Sequence, residues 1–197
     1  MISIYKLKPK FQSLLMPVLI FLHQKKISAN QITLVSIFLS FVIGFLFWNS
    51  YKNHWLFLAL PFGLLIRMAL NALDGMMARL YNQQSKLGEV LNELGDVLSD
   101  VAIFFPLIKY NSQNISLIIV IIILSVINEM AGLLAKIVSG ERRYDGPMGK
   151  SDRAFAISIY GIACFFSYQI INPYVLVITI ILLTISTYLR VNNSIKK

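Results

Sequence analysis

Residues 31–49 pass without one charged side chain, and so do residues 154–171 and 173–189. A helix needs about 20 predominantly apolar residues to cross a hydrocarbon core roughly 30 Å thick. Two further runs carry one charge each: 55–73 holds Arg67, and 115–135 holds Glu129. A sixth run extends from about Gly88 to Ile108 and carries no acid beyond Asp100. Backbone in lipid must satisfy its own hydrogen bonds, so apolar runs of this length read as helices. The composition agrees. Of 197 residues, 57% are hydrophobic and 14% charged, against about 45–50% and about 25% in a soluble domain. Six spans use about 120 residues, which leaves too little for a second domain of ordinary size. The chain is therefore expected to be an all-α integral membrane protein and a single domain over 1–197, with six transmembrane helices within 27–197.

Residues 1–26 are expected to form an interfacial amphipathic helix. Phe11, Leu14, Leu15, Val18, Leu19 and Leu22 share one face at helical spacing. The run is too short to span, and Lys6, Lys8, Lys10, Lys25 and Lys26 suit anionic headgroups. A signal peptide fits poorly, because no small-x-small site follows Leu22 and two lysines stand where cleavage is needed. Ser28 and Gln31 form a capping box at the first span.

Lys and Arg counts set the orientation. With the N-terminus inside, the inner segments hold the five lysines above, then Arg79 and Lys86, then Lys136, Arg142, Arg143, Lys150 and Arg153, then Arg190, Lys196 and Lys197. That is fifteen of eighteen basic residues. Only Lys52 and Lys109 fall outside, with Arg67 inside a span, so both termini are expected to be cytoplasmic. The net charge of +9 punctuates apolar runs and forms no stripe for nucleic acid. The single cysteine, Cys164, excludes a disulfide scaffold. His23 and His54 lie too far apart for a zinc site.

The first 73 residues contain no acid, and then five of the nine acids fall within 74–100. Glu89, Glu93, Asp96 and Asp100 lie within about 60° of one another on a helix, and Asn92 flanks them. Asn71 and Asp74 face this stripe from the end of the preceding span. Carboxylates placed this close repel unless a cation neutralises them, and oxygen ligands favour Mg²⁺, Mn²⁺ or Ca²⁺. Asp96 and Asp100 enter the apolar run, where ionisable side chains mark function.

The spacing Asn71-x2-Asp74-Gly75-x2-Ala78-Arg79-x8-Gly88-x3-Asn92-x3-Asp96 resembles the CDP-alcohol phosphotransferase signature, D-x2-D-G-x2-A-R-x8-G-x3-D-x3-D. Six of its eight specified positions match across 26 unbroken residues. The family is also similar in having a cytoplasmic interfacial helix and six spans, so 27–197 is expected to be a catalytic domain. The resemblance implies transfer of a phosphatidyl-type group from a CDP-linked lipid to an alcohol, with release of CMP. It implies Asp74 and Asp96 as ligands of Mg²⁺ or Mn²⁺, with Asp96 also the general base. Gly75, Ala78, Arg79 and Gly88 would line the nucleotide site together with Asp74. A homodimer in a cytoplasmic membrane is implied likewise.

Asn71 and Asn92 replace the first and third family aspartates. An asparagine carbonyl can ligate but brings no charge. Glu93 and Asp100 are the nearby acids that could compensate. Two ions with altered ligands, one ion and an inactive site all remain open. The segment 140–153 reads as a basic, flexible cytoplasmic loop. Lys150 and Arg153, at the start of the fifth span, are its acceptor-binding candidates, while Arg142 and Arg143 suit lipid headgroups. Arg67 and Glu129 are expected to pair across helices, or else Arg67, one turn before Asn71, tunes the metal site. Two other functions compete: a catalytically silent scaffold of the same fold, and a small cation or proton transporter. The outer halves of the spans carry almost no polar residues to serve transport.

Overall fold

A computed structural model describes residues 8–168 and 171–196. Lys6, Gln169, Ile170 and Lys197, all within the segments read above, lie outside the described residues. The described residues form helices and no strand. They are α1 (Lys8–Gln24), α2 (Ala29–Asn49), α3 (Ala59–Leu80), α4 (Lys86–Phe104), the single turn α5 (Leu107–Tyr110), α6 (Ile115–Ser139), α7 (Lys150–Phe165) and α8 (Pro173–Ile195). A 3-10 turn, His54–Leu58, leads into α3.

Local chemistry sets the boundaries. Ser28 caps α2 with the expected box: its hydroxyl accepts from the Gln31 amide at 3.3 Å, and its own amide donates to Gln31 Oε1 at 2.8 Å. Ser85 caps α4 by accepting from the Gly88 amide at 3.0 Å. Gly140, at φ +78°, ends α6 in the left-handed conformation that glycine enters at little cost.

The bundle is polarised along its length. Ile43, Phe47, Phe57, Leu60, Leu64, Ile103, Ile118, Ile157, Leu176 and Leu183 fill one end. Neighbouring helices run in alternating directions, so the other end gathers the start of α2, α4 and α7 with the finish of α3, α6 and α8. Some polar side chains are buried in the bundle while large apolar ones face outward, unlike in a water-soluble protein. Ser36, Ser40, Ser99, Ser125 and Asn128 are buried, while Phe38, Phe45, Phe62 and Ile123 are exposed. A surface this apolar suits lipid rather than water.

Among the described residues, four helical segments are long and apolar enough to cross a membrane: Ala29–Asn49, His54–Leu80, Ser112–Ser139 and Pro173–Ile195. The expected third and fifth spans correspond to α4 and α7. Of these, α4 carries five charged residues in 19, and α7 is 16 residues long with Lys150, Asp152 and Arg153 in its first turn. Both pack within the bundle, α4 against α2 and α6, and α7 against α3.

Two local expectations change. The inward stripe of α1 is narrower than the spacing indicated. Leu19 is buried, Leu15 and Leu22 pack beside it against Leu73, Met76 and Met77, and Leu14 and Val18 point away. A helix resting mainly on α3 needs only such a stripe. The 140–149 loop, expected to be flexible, is tied to α6 and α8. The Arg143 amide donates to the Gly132 carbonyl at 3.3 Å, and the Ser186 hydroxyl to the Asp145 carbonyl at 3.0 Å. Gly146 sits at φ +90°, where a Cβ would lie 2.6 Å from Ser186 Cα, so only glycine fits that approach.

Candidate active site

The polar end encloses a cavity of about 1020 Å³. On α3, Arg67, Asn71, Asp74 and Ala78 recur at helical spacing and line it, with Gly75 and Arg79 beside them. From α4 come Gly88, Asn92 and Asp96, and from the start of α7 comes Lys150. All eight signature positions therefore face one cavity, together with Lys150. Glu93, Asp100 and Arg153 do not line it.

Hydrogen bonds from α2 fix the α3 face. Thr33 Oγ1 donates to Asp74 Oδ2 at 2.9 Å, and Ser36 Oγ donates to Asn71 Oδ1 at 2.6 Å. Asp74 and Asp96 are both buried. A Cβ on Gly75 would meet only the Arg79 guanidinium, at 3.5 Å, so protein packing does not require glycine there and the missing side chain leaves cavity space. Gly88 has a packing reason as well. A Cβ there would lie 2.6 Å from Asn30 Oδ1 and 3.1 Å from Ser85 Oγ.

The acidic stripe of α4 meets a ladder of cations. Lys136 contacts Glu89, and Lys150 contacts Asp96. Arg142 Nη1 reaches Glu93 Oε1 at 2.5 Å. Arg153 donates to Asp100 Oδ2 from Nε at 3.0 Å and from Nη2 at 2.5 Å. Arg67 pairs with Asp96 at 3.8 Å rather than with Glu129, because α3 turns it toward α4. Glu129 instead accepts from Arg142 and Arg153, each at 2.8 Å, with Arg190 at 3.7 Å. Arg142, expected at lipid headgroups, is thus committed to two carboxylates. Burial opposes its charge, but Tyr144, Glu93 and Glu129 outweigh burial and raise its pKa above the ordinary value. Arg143 likewise turns inward, donating to the Asn193 carbonyl at 3.3 Å.

Sequence reasoning gave Glu129 and Arg190 no site role, preferred lipid headgroups for Arg142, and offered Arg67 a site role only as an alternative. Arg67, Glu129, Arg142 and Arg190 all face the cavity. The lone charges within apolar runs were the available signal for Arg67 and Glu129. Arg190 carried none, since it ends a span like any basic flank.

The model of the CDP-alcohol phosphatidyltransferase family matches residues 26–189. This chain belongs to that family. It is a multi-pass membrane protein of a family of transferases. It is 47% identical over 161 residues to the inner membrane protein YnbA of Escherichia coli (strain K12), covering 82% of this chain and 80% of that protein. Its fold is similar to that of phosphatidylinositol phosphate synthase (PgsA1) of Mycobacterium tuberculosis. The structure of that enzyme with manganese and citrate superposes at TM-score 0.69, with 19% identity, over 91% of this chain and 86% of that one. The structure with CDP-DAG bound superposes at 0.68, with 18% identity, over 91% and 90%.

The donor set can be tested against the divalent ion that the family implies. Among the described residues, no group of three His, Cys, Asp or Glu side chains could hold a metal ion. Asp74 and Asp96 still present hard oxygens to the same cavity. Asn71 Nδ2 is buried without a hydrogen-bond partner. Rotating that amide by half a turn would aim its carbonyl oxygen where the orphaned donor now points, and Ser36 Oγ could then accept from Nδ2. Two carboxylates with asparagine carbonyls suit one hard divalent ion.

Proposed function

We propose that this chain moves a phosphatidyl-type group from a CDP-linked lipid to an alcohol and releases CMP. One observation carries the reading: Asp74, Gly75, Ala78, Arg79, Gly88 and Asp96, the six matching signature residues, line one cavity at the polar end of an otherwise apolar bundle. A cavity that opens beside lipid-facing helices admits a donor whose headgroup is polar and whose tails stay in the bilayer. The solved structure of PgsA1 with CDP-DAG supports such a donor.

Each residue then has a task. Gly75 and Ala78 let the nucleotide approach the α3 backbone. Arg79, exposed at the rim, faces the diphosphate. A divalent ion, Mg²⁺ or Mn²⁺, on Asp74 and Asp96 with the Asn71 and Asn92 carbonyls would neutralise the diphosphate and stabilise the leaving phosphate. Lys150 orients the acceptor from the α7 side. Arg153 supports it indirectly, by holding Asp100 and Glu129. The acceptor oxygen forms a bond to the lipid phosphorus as the bond to the CMP oxygen breaks. Asp96 takes the hydroxyl proton, and CMP leaves with the bonding electron pair.

The membrane setting belongs to the same proposal. The Lys and Arg asymmetry supports six spans with both termini cytoplasmic. The similarity to an inner membrane protein supports a cytoplasmic membrane, and the family resemblance supports a homodimer. An acceptor screen tests the reading. Purified protein in nanodiscs receives CDP-diacylglycerol and, in turn, glycerol phosphate, inositol phosphate and serine. CMP release with one of them is expected. No release with any, at any divalent ion concentration, would favour the silent scaffold that Asn71 and Asn92 suggest.

A further inference from the structure

The positive charge at the polar end comes largely from the protein itself. Asp100 is held by Arg153 through two donors, and Glu93 by Arg142. Neither acid lines the cavity. These were the two acids able to replace the charge lost at Asn71 and Asn92. Asp96 and Asp74 remain. Asp96 already has two cations beside it, Lys150 and Arg67. The Lys150 side chain is 25% exposed and can withdraw toward solvent. That of Arg67 is 2% exposed and cannot. Arg67 lines the cavity one turn before Asn71, and its Nε is buried without a hydrogen-bond partner. A buried guanidinium stays charged.

Charge then limits the number of ions. Asp74, Asp96 and Arg67 sum to −1 where they meet the cavity. One divalent ion brings the sum to +1 before any donor binds. A second divalent ion, about 4 Å from the first as in two-metal sites, would bring it to +3 beside a cation that cannot leave. Building on the reading above, we infer that this chain holds a single divalent ion, on Asp74 and Asp96. The Arg67 guanidinium supplies the fixed positive charge that a second ion would otherwise bring.

The experiment is a Mn²⁺ titration of the full chain in nanodiscs, followed by electron paramagnetic resonance. It reads the number of bound ions and whether they couple magnetically, independently of activity. The wild type should bind one Mn²⁺ with an uncoupled spectrum. Arg67→Gln removes a repulsive neighbour, so it should bind Mn²⁺ on the order of tenfold more tightly while CMP release falls. Arg67→Lys, which keeps the charge, should stay near the wild-type affinity. Asn71→Asp with Asn92→Asp should still bind one ion, and adding Arg67→Gln should admit a coupled second. Two ions or none in the wild type would overturn the inference. So would unchanged or weaker Mn²⁺ binding in Arg67→Gln, as expected if the arginine only braces the fold. If Arg67→Gln fails to fold, the wild-type count decides alone. One bound Mn²⁺ without CMP release from any acceptor would contradict the proposed function and leave this inference standing.

Discussion

Arg153 shows how much of the polar end is structural. It is 1% exposed, donates to Asp100, Glu129 and the Met148 carbonyl, and lies outside the cavity lining. Removing one partner of a buried ion pair strands the other, at a cost of about 3–5 kcal/mol. Arg153→Met should therefore lower the thermal unfolding midpoint in detergent by many degrees, and a midpoint near wild type would contradict the role. Asp74 and Asp96 line the cavity, and the proposed function gives them the chemistry instead. Asp74→Asn and Asp96→Asn should each cut CMP release to background while the chain still elutes as a folded species. Full activity in either would refute the assignment. At this scale the signature was readable because its residues sit on two consecutive helices, where spacing alone sets the facing. The partners of Glu93, Glu129 and Asp100 were not readable. They come from α7, α8 and the 140–149 loop, and only tertiary packing brings these to α4 and α6.

At the scale of elements, close backbone approach decides how the site is framed. Gly44 on α2 faces the Ala102 backbone of α4, and a Cβ would press into its carbonyl oxygen. Overpacking of this kind typically costs about 1–3 kcal/mol. Gly44→Val should lower the unfolding midpoint and, by prising α2 from α4, reduce activity as well. A stable and fully active Gly44→Val would show that the two helices separate freely. The capping box at Ser28 and the apolar runs were legible because both are local signals. The inward stripe of α1 and the anchoring of the 140–149 loop were not, since each depends on which neighbours lie beneath.

For the whole molecule, the polarised bundle ties topology to the proposed function, because on that proposal the site at one end faces the compartment that supplies CDP-linked donors. Single cysteines placed at 141 and at 52, in a Cys164→Ser background, should be labelled from opposite sides of the membrane, with 141 cytoplasmic. Labelling of 141 from outside would overturn the orientation. The central claim is that the cavity lined by Asp74 and Asp96 transfers a lipid phosphoryl group. Its most direct measurement is CMP released from CDP-diacylglycerol by the wild type and by Asp96→Asn, with each acceptor, before and after chelation of divalent ions. Release by the wild type that disappears both on chelation and in Asp96→Asn is the predicted result. Release that persists in both conditions, or no release by the wild type with any acceptor, would contradict it.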